Sequence, residues 1–199
     1  MALKTRKIKS LSTGRPVTVD TRELLIKAAG DEFNAVGFFG TDSNRIARHA
    51  GFAPQTFYRH FADKLDVFLA AYERWRTEEA AAIAAAIKSS SVSGRSRAAS
   101  AEIIRHHREW AMFRRSLRML AVEEPRVRAS RTAGRQVQLA ALAALPANSG
   151  RSQAELASAL LTIERLCDAL ADGEPKDLGI PEAQWIDLVL RAVAAARGE

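Results

Sequence analysis

The chain has 199 residues, enough for one large domain or two small ones, and its hydrophobic content of 47% is ample for a buried core. No apolar run approaches the ~20 residues that a membrane span needs, and the single cysteine, Cys167, excludes an internal disulfide and fits a reducing cytosol. A net charge of +7 favours a polyanionic partner, nucleic acid first.

The positive charge is concentrated in the first third of the chain. Residues 1–64 contain 11 Lys and Arg against 6 Asp and Glu, whereas residues 65–199 contain 19 against 17. Residues 1–19 are polar and basic, lack helical periodicity and lack the apolar stretch of a signal peptide, so we predict a disordered arm. Two interpretations of this arm stay open: it contacts the DNA backbone or minor groove, or it is a solvated tail.

A first helix is predicted from Asp20 to Val36. Asp20 and Glu23 have the spacing of a capping box, with Asp in place of the usual Ser or Thr. The apolar residues recur at helical spacing on one face. This face consists of Leu25, Ala28, Ala29, Phe33 and Val36.

The stretch from Thr41 to Lys64 has the pattern of two short helices joined by a tight turn. Asp42 or Thr41 can cap the first helix, and Gly51 permits the sharp turn after it. Pro54 suits the first position of a second helix, which we predict to extend from Pro54 to Phe61. Within it Phe57 and Phe61 face inward, and the polar, aromatic and basic side chains face outward. This pattern is typical of a helix-turn-helix that enters the major groove.

The same stretch resembles a known family. The matching residues are Thr21-Arg22-Glu23, Ala28-Ala29, Phe33, Gly37, Thr41, Ile46-Ala47, Ala50-Gly51, Thr56, Tyr58-Arg59-His60-Phe61 and Lys64. From Thr21 to Leu69 the chain is similar to the DNA-binding domain of TetR-type (tetracycline-repressor-like) transcriptional regulators. Three positions depart from that family's pattern. Ala53 replaces the usual capping Ser, Gln55 stands where Gly is frequent, and Gly30 lies in mid-helix at a cost of about 1 kcal/mol relative to Ala.

The middle of the chain is predicted to contain three further helices. One runs from Asp63 to Lys88, one from Arg97 to about Ala121 with a break near Glu109, and one from Glu124 to Leu145. The last two carry many arginines, for which we favour a solvated face paired in part with Glu123 and Glu124 over a site for an acidic ligand. The arginines are Arg114, Arg115, Arg118, Arg126, Arg128, Arg131 and Arg135.

One helix face carries Glu102, His106 and Glu109, a set compatible with metal ligands. Metal sites in helix bundles draw matching carboxylates from several helices, and no second Glu/His cluster is present in the sequence. We therefore expect no metal. A histidine in the wall of an apolar pocket is the other functional alternative considered for His106.

Two apolar helices end the chain. The first, Ser152 to Asp172, opens with the capping box Ser152 and Glu155. The second begins at Pro181, after a loop from Asp172 to Ile180. By resemblance to TetR-type proteins, this pair forms a four-helix interface with a second subunit. The expected interface residues are Leu156, Leu160, Ile163, Cys167, Leu170, Trp185, Leu188 and Val189.

No segment shows strand alternation, so the sequence predicts an all-α protein of about nine helices. The expected domains are a basic arm (1–19), a three-helix DNA-binding head (20–66) and a body for ligand binding and dimerisation (67–199). The residues expected to contact DNA are Thr41, Arg45, Pro54, Gln55, Thr56, Tyr58, Arg59, His60 and Lys64. The residues that the resemblance places around a ligand cavity are Trp75, His106, Trp110, Phe113 and Met119.

The resulting functional hypothesis is a cytoplasmic, ligand-responsive regulator, most often a repressor in this family. Its expected partners are a palindromic double-stranded DNA operator, a second copy of the chain and an unidentified small-molecule effector, without a membrane and without a cofactor. The alternative is an α-helical enzyme or small-molecule carrier that does not bind DNA. The sequence disfavours an enzyme, because it contains no GxSxG, phosphate-binding glycine loop or HExxH motif.

Overall fold

A computed structural model describes residues 20–199, and the predicted arm at 1–19 lies outside them. Within the described residues the chain forms ten α-helices and no strand, so the prediction of an all-α fold is confirmed. The helices are α1 (Thr21–Val36), α2 (Ser43–His49), α3 (Pro54–Phe57), α4 (Lys64–Ser89), α5 (Arg95–Glu109), α6 (Ala111–Glu123), α7 (Pro125–Ala143), α8 (Gln153–Asp172), α9 (Glu174–Asp177) and α10 (Glu182–Arg197).

The described residues divide into two compact units, one ending at Trp75 and one extending from Arg76 to Glu199. The division falls inside α4, which contributes residues to both units. Our predicted boundary between head and body lies nine residues earlier, after residue 66. None of the helices within residues 20–199 has the length and apolar character that crossing a membrane requires.

In the first unit, α2 packs against α1 and α3 packs against α2. Leu25 and Phe33 of α1 are fully buried, as are Ile46 of α2 and Phe57 of α3. Asp20 caps α1, although its carboxylate accepts from the backbone N–H of Arg22 rather than completing the predicted box. The side chain of Asp42 caps α2 by accepting from the backbone N–H of Arg45 at 2.8 Å.

In the second unit, several predicted helix boundaries are confirmed. The expected break near Glu109 occurs at Trp110, whose backbone leaves the helical region between α5 and α6. Ser152 and Glu155 form both hydrogen bonds of the predicted capping box at the start of α8. The predicted loop from Asp172 to Ile180 is wrong in part, because Gly173 turns the chain with φ of 85° and the short helix α9 follows.

The apolar stripe of α8 and α10 packs inside the second unit. Ile163, Cys167 and Val189 are 8%, 1% and 0% exposed and belong to one core cluster. Leu156, Leu160 and Leu170 are also buried, and the indole of Trp185 donates to the carbonyl of Leu166. The side chains of these residues are thus covered within one chain, and the assignment of this stripe to a dimer interface stays a prediction. Among the predicted interface residues, Leu188 is exposed at 39%.

Candidate nucleic-acid interface

The connection between α2 and α3 is a tight turn that depends on a glycine. Gly51 has φ of 79°, a conformation that favours glycine over other residues. Its N–H donates to the carbonyl of Arg48, and the N–H of Phe52 donates to the carbonyl of Ala47, both at 2.9 Å. These bonds close the end of α2, and the predicted stop at Gly51 is confirmed.

The regular part of α3 is shorter than the sequence indicates. It ends at Phe57 instead of Phe61, and Ala53 precedes it without a side-chain capping bond. After Phe57 the chain tightens into turns, because the N–H groups of His60 and Phe61 both donate to the Phe57 carbonyl, at 2.9 and 3.0 Å. Such tightening is frequent where a short helix ends.

Two aromatic rings fix the inner face of this segment, as predicted. Phe57 is fully buried and Phe61 is 3% exposed, and their ring centroids lie 5.6 Å apart. The guanidinium of Arg22 lies 5.1 Å from the centroid of the Phe61 ring. The inner face is thus held by packing and by a cation–π contact from α1.

The opposite face of the segment is polar and open to solvent. Gln55, Tyr58 and Arg59 are exposed, with 59% of Tyr58 accessible. Pro54, Thr56 and His60 lie half-buried at its rim. An amide can bond adenine in bidentate fashion, whereas phenol, hydroxyl and guanidinium groups bond phosphates or base edges. The segment therefore presents donors and acceptors suited to a DNA groove.

A buried carboxylate ties the first helix of the motif to α1. Glu32 is 7% exposed, and its Oε2 lies 2.6 Å from Nε of Arg45. Its Oε1 lies 2.8 Å from Nδ1 of His49, and the hydroxyl of Thr41 donates to Oε2 at 3.2 Å. One side chain of α1 thus holds two residues of α2 and the residue that leads into it.

These bonds change the roles expected for two predicted DNA contacts. Thr41 is 5% exposed and its hydroxyl is engaged by Glu32, so the expectation that this side chain touches phosphate does not fit its position. Arg45 uses Nε for Glu32 while 49% of its side chain stays accessible. A contact from the accessible part of Arg45 to DNA stays a prediction.

Lys64, also predicted to contact phosphate, is engaged inside the head. Its ammonium donates to the carbonyls of Phe38 at 2.8 Å and Thr41 at 3.0 Å and lies 4.2 Å from the centroid of the Phe38 ring. Partial burial lowers the pKa of Lys64, although the nearby Asp42 carboxylate acts in the opposite direction. The structure thus gives Lys64 a structural task at the start of α4, where Asp63 caps the helix as predicted.

Glu32 is the functional residue that the sequence reasoning missed. An acid among the apolar positions of α1 is unusual, and an acid that stays buried needs a partner. That signal was present at Glu32, but the partners lie 9, 13 and 17 residues further along the chain. Only the folded arrangement brings them together.

The residues expected around a ligand cavity are only partly enclosed. His106 and Phe113 are 6% and 0% exposed, and Trp110 packs edge-on against Phe113 with ring centroids 5.7 Å apart. Trp75 is 3% exposed and belongs to the first unit. Met119 is 52% exposed, so the structure does not enclose it, and its place in a ligand cavity stays a prediction.

Three arginines of α6 and α7 pair with acids of α8, and the expected partial pairing with Glu123 and Glu124 stays a prediction. Arg114 bonds Asp168, and Arg131 and Arg135 both reach Glu164. Glu102 and Glu109, considered above as metal ligands, both bind Arg105. In residues 20–199 no group of three His, Cys, Asp or Glu side chains is arranged to hold a metal ion.

Comparison with known proteins agrees with this geometry. Residues 25–71 match the model of a family described as bacterial regulatory proteins, tetR family. This match covers α2, α3 and parts of α1 and α4, so it identifies these residues as similar to the DNA-binding domain of that family. Members of the TetR family are DNA-binding transcriptional regulators rather than enzymes, and they act as dimers.

Solved structures of TetR-type regulators share the fold of this chain. A TetR-family transcriptional regulator from Streptomyces coelicolor is 23% identical, with a TM-score of 0.66 and coverage of 90% of this chain and 96% of that one. A TetR-like regulator from Rhodococcus sp. RHA1 is 24% identical, with a TM-score of 0.60 and coverage of 90% and 97%. The fatty acid degradation regulator FadR of Bacillus halodurans is 16% identical, with a TM-score of 0.66 and coverage of 87% and 94%. Among curated proteins, no sequence match to the chain was found.

Proposed function

We propose that this chain is a TetR-type repressor that binds a palindromic operator as a homodimer and is released by a small molecule. The observation that carries the proposal is the exposed polar face of α3 and the turn after it. Gln55, Tyr58 and Arg59 are open to solvent on a segment whose other face is held by two buried rings. Such rigid support positions side chains for reading bases.

Within that face we assign base reading first to Gln55. Its amide matches adenine N6 and N7, and Thr56 and Arg59 supply further contacts to base edges or phosphates. Tyr58 and His60 position the head on the phosphate backbone. Pro54 contributes by starting the helix with no N–H to satisfy.

A homodimer follows from the small size of one head. A single reading segment offers few base contacts, whereas two heads related by a two-fold axis read an inverted repeat with half-site centres roughly 34–36 Å, or a multiple, apart. We propose that the partner packs on the outward faces of α8 and α10. Leu161 and Leu188 support this choice, because 45% and 39% of these apolar residues are exposed in one chain.

The effector is proposed to act from the body, residues 67–199, on the head, residues 20–66. A ligand shifts the heads only if it binds their two arrangements with different affinity. We propose α4 as the transmitter, since it contains residues of both units. A coupling of roughly 1–3 kcal/mol changes operator affinity about 5- to 150-fold. The protein acts in the cytoplasm, at the chromosome.

Selection from a pool of random DNA duplexes tests this function directly. The purified protein should enrich an inverted repeat at physiological salt, and sedimentation of the complex should give two protein chains per duplex. Enrichment of no motif, with binding equally strong to all duplexes, would contradict sequence reading. That result would favour the alternative of a small-molecule carrier without a specific DNA target.

A further inference from the structure

A cluster of ionisable side chains is buried in the second unit. Glu79 of α4 and His107 of α5 are 5% and 3% exposed, and Arg114 of α6 and Asp168 of α8 are 6% and 4% exposed. Charged groups are rarely buried to this extent without a partner, because removal from water disfavours the charged form. The partners of each member therefore indicate whether the cluster is complete.

The arginine and the aspartate of the cluster bind each other and charged residues beside the cluster. Arg114 Nε lies 2.7 Å from Asp168 Oδ1, and Arg118 Nη1 lies 2.9 Å from the same oxygen. Arg118 also reaches Asp172 with its second terminal nitrogen, at 2.5 Å. Arg115 also reaches Asp172, at 3.0 Å, so both aspartates have arginine partners and neither depends on Glu79.

Glu79 and His107 each keep an atom unsatisfied. Oε1 of Glu79 accepts no hydrogen bond within residues 20–199, and Nδ1 of His107, 3.7 Å away, is too distant to donate one. That Nδ1 lies 2.9 Å from the carbonyl of Ile103 and donates to it, which leaves a lone pair on Nε2. Nε2 has no hydrogen-bond partner either and lies 3.9 Å from Asp168.

Both unsatisfied atoms accept hydrogen bonds. Within residues 20–199 the Glu79 carboxylate forms no ion pair with Lys or Arg, because the nearby Arg114 is bonded to Asp168. A ligand that completes the site therefore brings N–H donors and a positive charge. We propose that Glu79 and His107 bind the cationic group of an amphipathic amine or amidine, and that this molecule is the effector. The role of this molecule as the effector rests on the proposed function.

The surroundings of Glu79 fit the apolar remainder of such a molecule. Ile83 and Ile87 lie one and two turns further along the same face of α4 and pack against the core of the second unit. Ile103, next to the cluster on α5, packs against the same core. A cation with a short apolar body matches this combination of a carboxylate and apolar side chains.

Protonation of Glu79 provides an independent signature of the site. Burial raises the pKa of Glu79 to about 7, which the nearby Arg114 partly opposes. Burial lowers the pKa of His107 to about 3 and raises that of Cys167 to about 12, so both stay neutral near pH 7. The groups that face Glu79 are His107 from α5, Arg114 from α6, and Glu164, Cys167 and Asp168 from α8.

A cation that requires ionised Glu79 binds more tightly as the pH rises. If only the ionised form binds, the affinity increases roughly tenfold between pH 6 and pH 8 and levels off above that range. The pKa of Arg114 is raised and that of Asp168 is lowered, so both keep their charges across this interval and Glu79 dominates the slope. A neutral or anionic ligand gives no such increase.

The test is calorimetric titration of the full-length protein, without DNA, with benzamidine and phenethylamine as cationic probes. Benzamide and benzoate are the matched neutral and anionic probes. We expect the cations to bind at least about tenfold more tightly than benzamide or benzoate, with the pH dependence given above. Equal affinity for all four, or no cation binding up to millimolar concentration, would overturn the proposal.

Two variants test whether Glu79 is responsible for the cation affinity and for its pH dependence. Glu79→Gln keeps the shape and removes the charge, so it should lose about tenfold or more in cation affinity and lose the pH dependence. Glu78→Gln makes the same change at the exposed neighbour and should leave both unchanged. Unaltered binding by Glu79→Gln would contradict the assignment, and thermal unfolding shows whether the variant is folded. The pH dependence of the wild type tests the site even if the variant does not fold.

Operator binding separates this inference from the proposed function. If the cations bind through Glu79 but leave operator affinity unchanged, the site is correct and its role as effector site is wrong. If an anion such as decanoate releases the operator and the cations do not bind, the proposed regulation stands and the inference fails.

Discussion

The carboxylate of Glu32 lies 2.6 Å from Nε of Arg45, and this ion pair joins α1 to the first helix of the DNA-binding motif. The same carboxylate holds His49 and Thr41. Because α2 leads into α3 through one tight turn, the position of the reading segment depends on this single acid. Glu32 therefore stabilises the head and orients its DNA-facing surface.

Replacing Glu32 should weaken the head. Glu32→Ala leaves the buried Thr41 hydroxyl and two cationic or polar groups without their partner, and we expect a loss of about 1–3 kcal/mol in the free energy of unfolding. Urea denaturation measures it. Asp31→Asn is the matched control, since Asp31 pairs only with the exposed Lys27 and surface pairs contribute about 0–1 kcal/mol. Equal effects of the two changes would contradict the role of Glu32.

Lys64 should behave as a structural residue rather than as a phosphate contact. Lys64→Ala removes the donor to the carbonyls of Phe38 and Thr41, and we expect a loss of about 1–3 kcal/mol in stability. The salt dependence of DNA binding by the folded variant should stay that of the wild type. A decrease of about 0.9 in the slope of log affinity against log salt would instead show a lost phosphate contact. Fluorescence anisotropy at several salt concentrations gives this slope.

Two adjacent leucines test where the second subunit binds. Leu161 is 45% exposed, so Leu161→Glu should disrupt self-association and leave a folded monomer in sedimentation experiments. Leu160 is 8% exposed, so Leu160→Glu places a charge in the core and should unfold the second unit. A wild-type monomer at micromolar concentration would contradict the dimer, and a dimeric Leu161→Glu variant would contradict the face.

Stability should depend on pH through Glu79. The raised pKa, about 7 against an ordinary 4.5, means that the folded state binds more protons than the unfolded state between these values. Stability from this group is present below about pH 4.5 and is lost as the pH rises through 7. Glu79→Gln should therefore gain stability over the wild type between pH 5 and pH 8, by roughly 1–3 kcal/mol.

The contribution of His107 to the pH dependence of stability has the opposite sign to that of Glu79. The wild type must therefore be compared with Glu79→Gln. The lowered pKa of His107 means that the unfolded state binds the extra proton between about 6.5 and 3, and stability falls as the pH is lowered through this window. In the difference between wild type and Glu79→Gln, the contribution of His107 cancels. Denaturation curves at pH 5 and pH 8 measure the difference in the free energy of unfolding between the two proteins. The same difference at both pH values would contradict a buried, protonated Glu79.

Local signals in the sequence predicted the head well. Gly51, the capping position at Asp42 and the spacing of Phe57 and Phe61 each act within a few residues, so the motif can be derived without knowledge of the fold. The intramolecular partners of Thr41 and Lys64 were not predicted, because they are residues distant in the chain. Helical periodicity identifies a polar or apolar residue but not the group that it meets.

The helices of the body show more clearly what helical periodicity cannot predict. The stripe of Leu160, Ile163 and Cys167 was predicted from its spacing, yet periodicity cannot distinguish a core within one chain from an interface between two. The same holds for the charges, since no local rule links Arg114 with Asp168, 54 residues away. Burial and pairing at that distance are decided by the packing of whole helices.

The most direct test of base reading by α3 is the operator profile of Gln55→Ala. On duplexes that vary one base pair at a time, we expect the variant to lose its preference at one position in each half-site, at a cost of about 1–3 kcal/mol, and to keep the other preferences. Gln184→Ala, which truncates an exposed glutamine of α10, should leave the whole profile unchanged. A Gln55→Ala profile identical to that of the wild type would contradict the account of α3 as the reading segment.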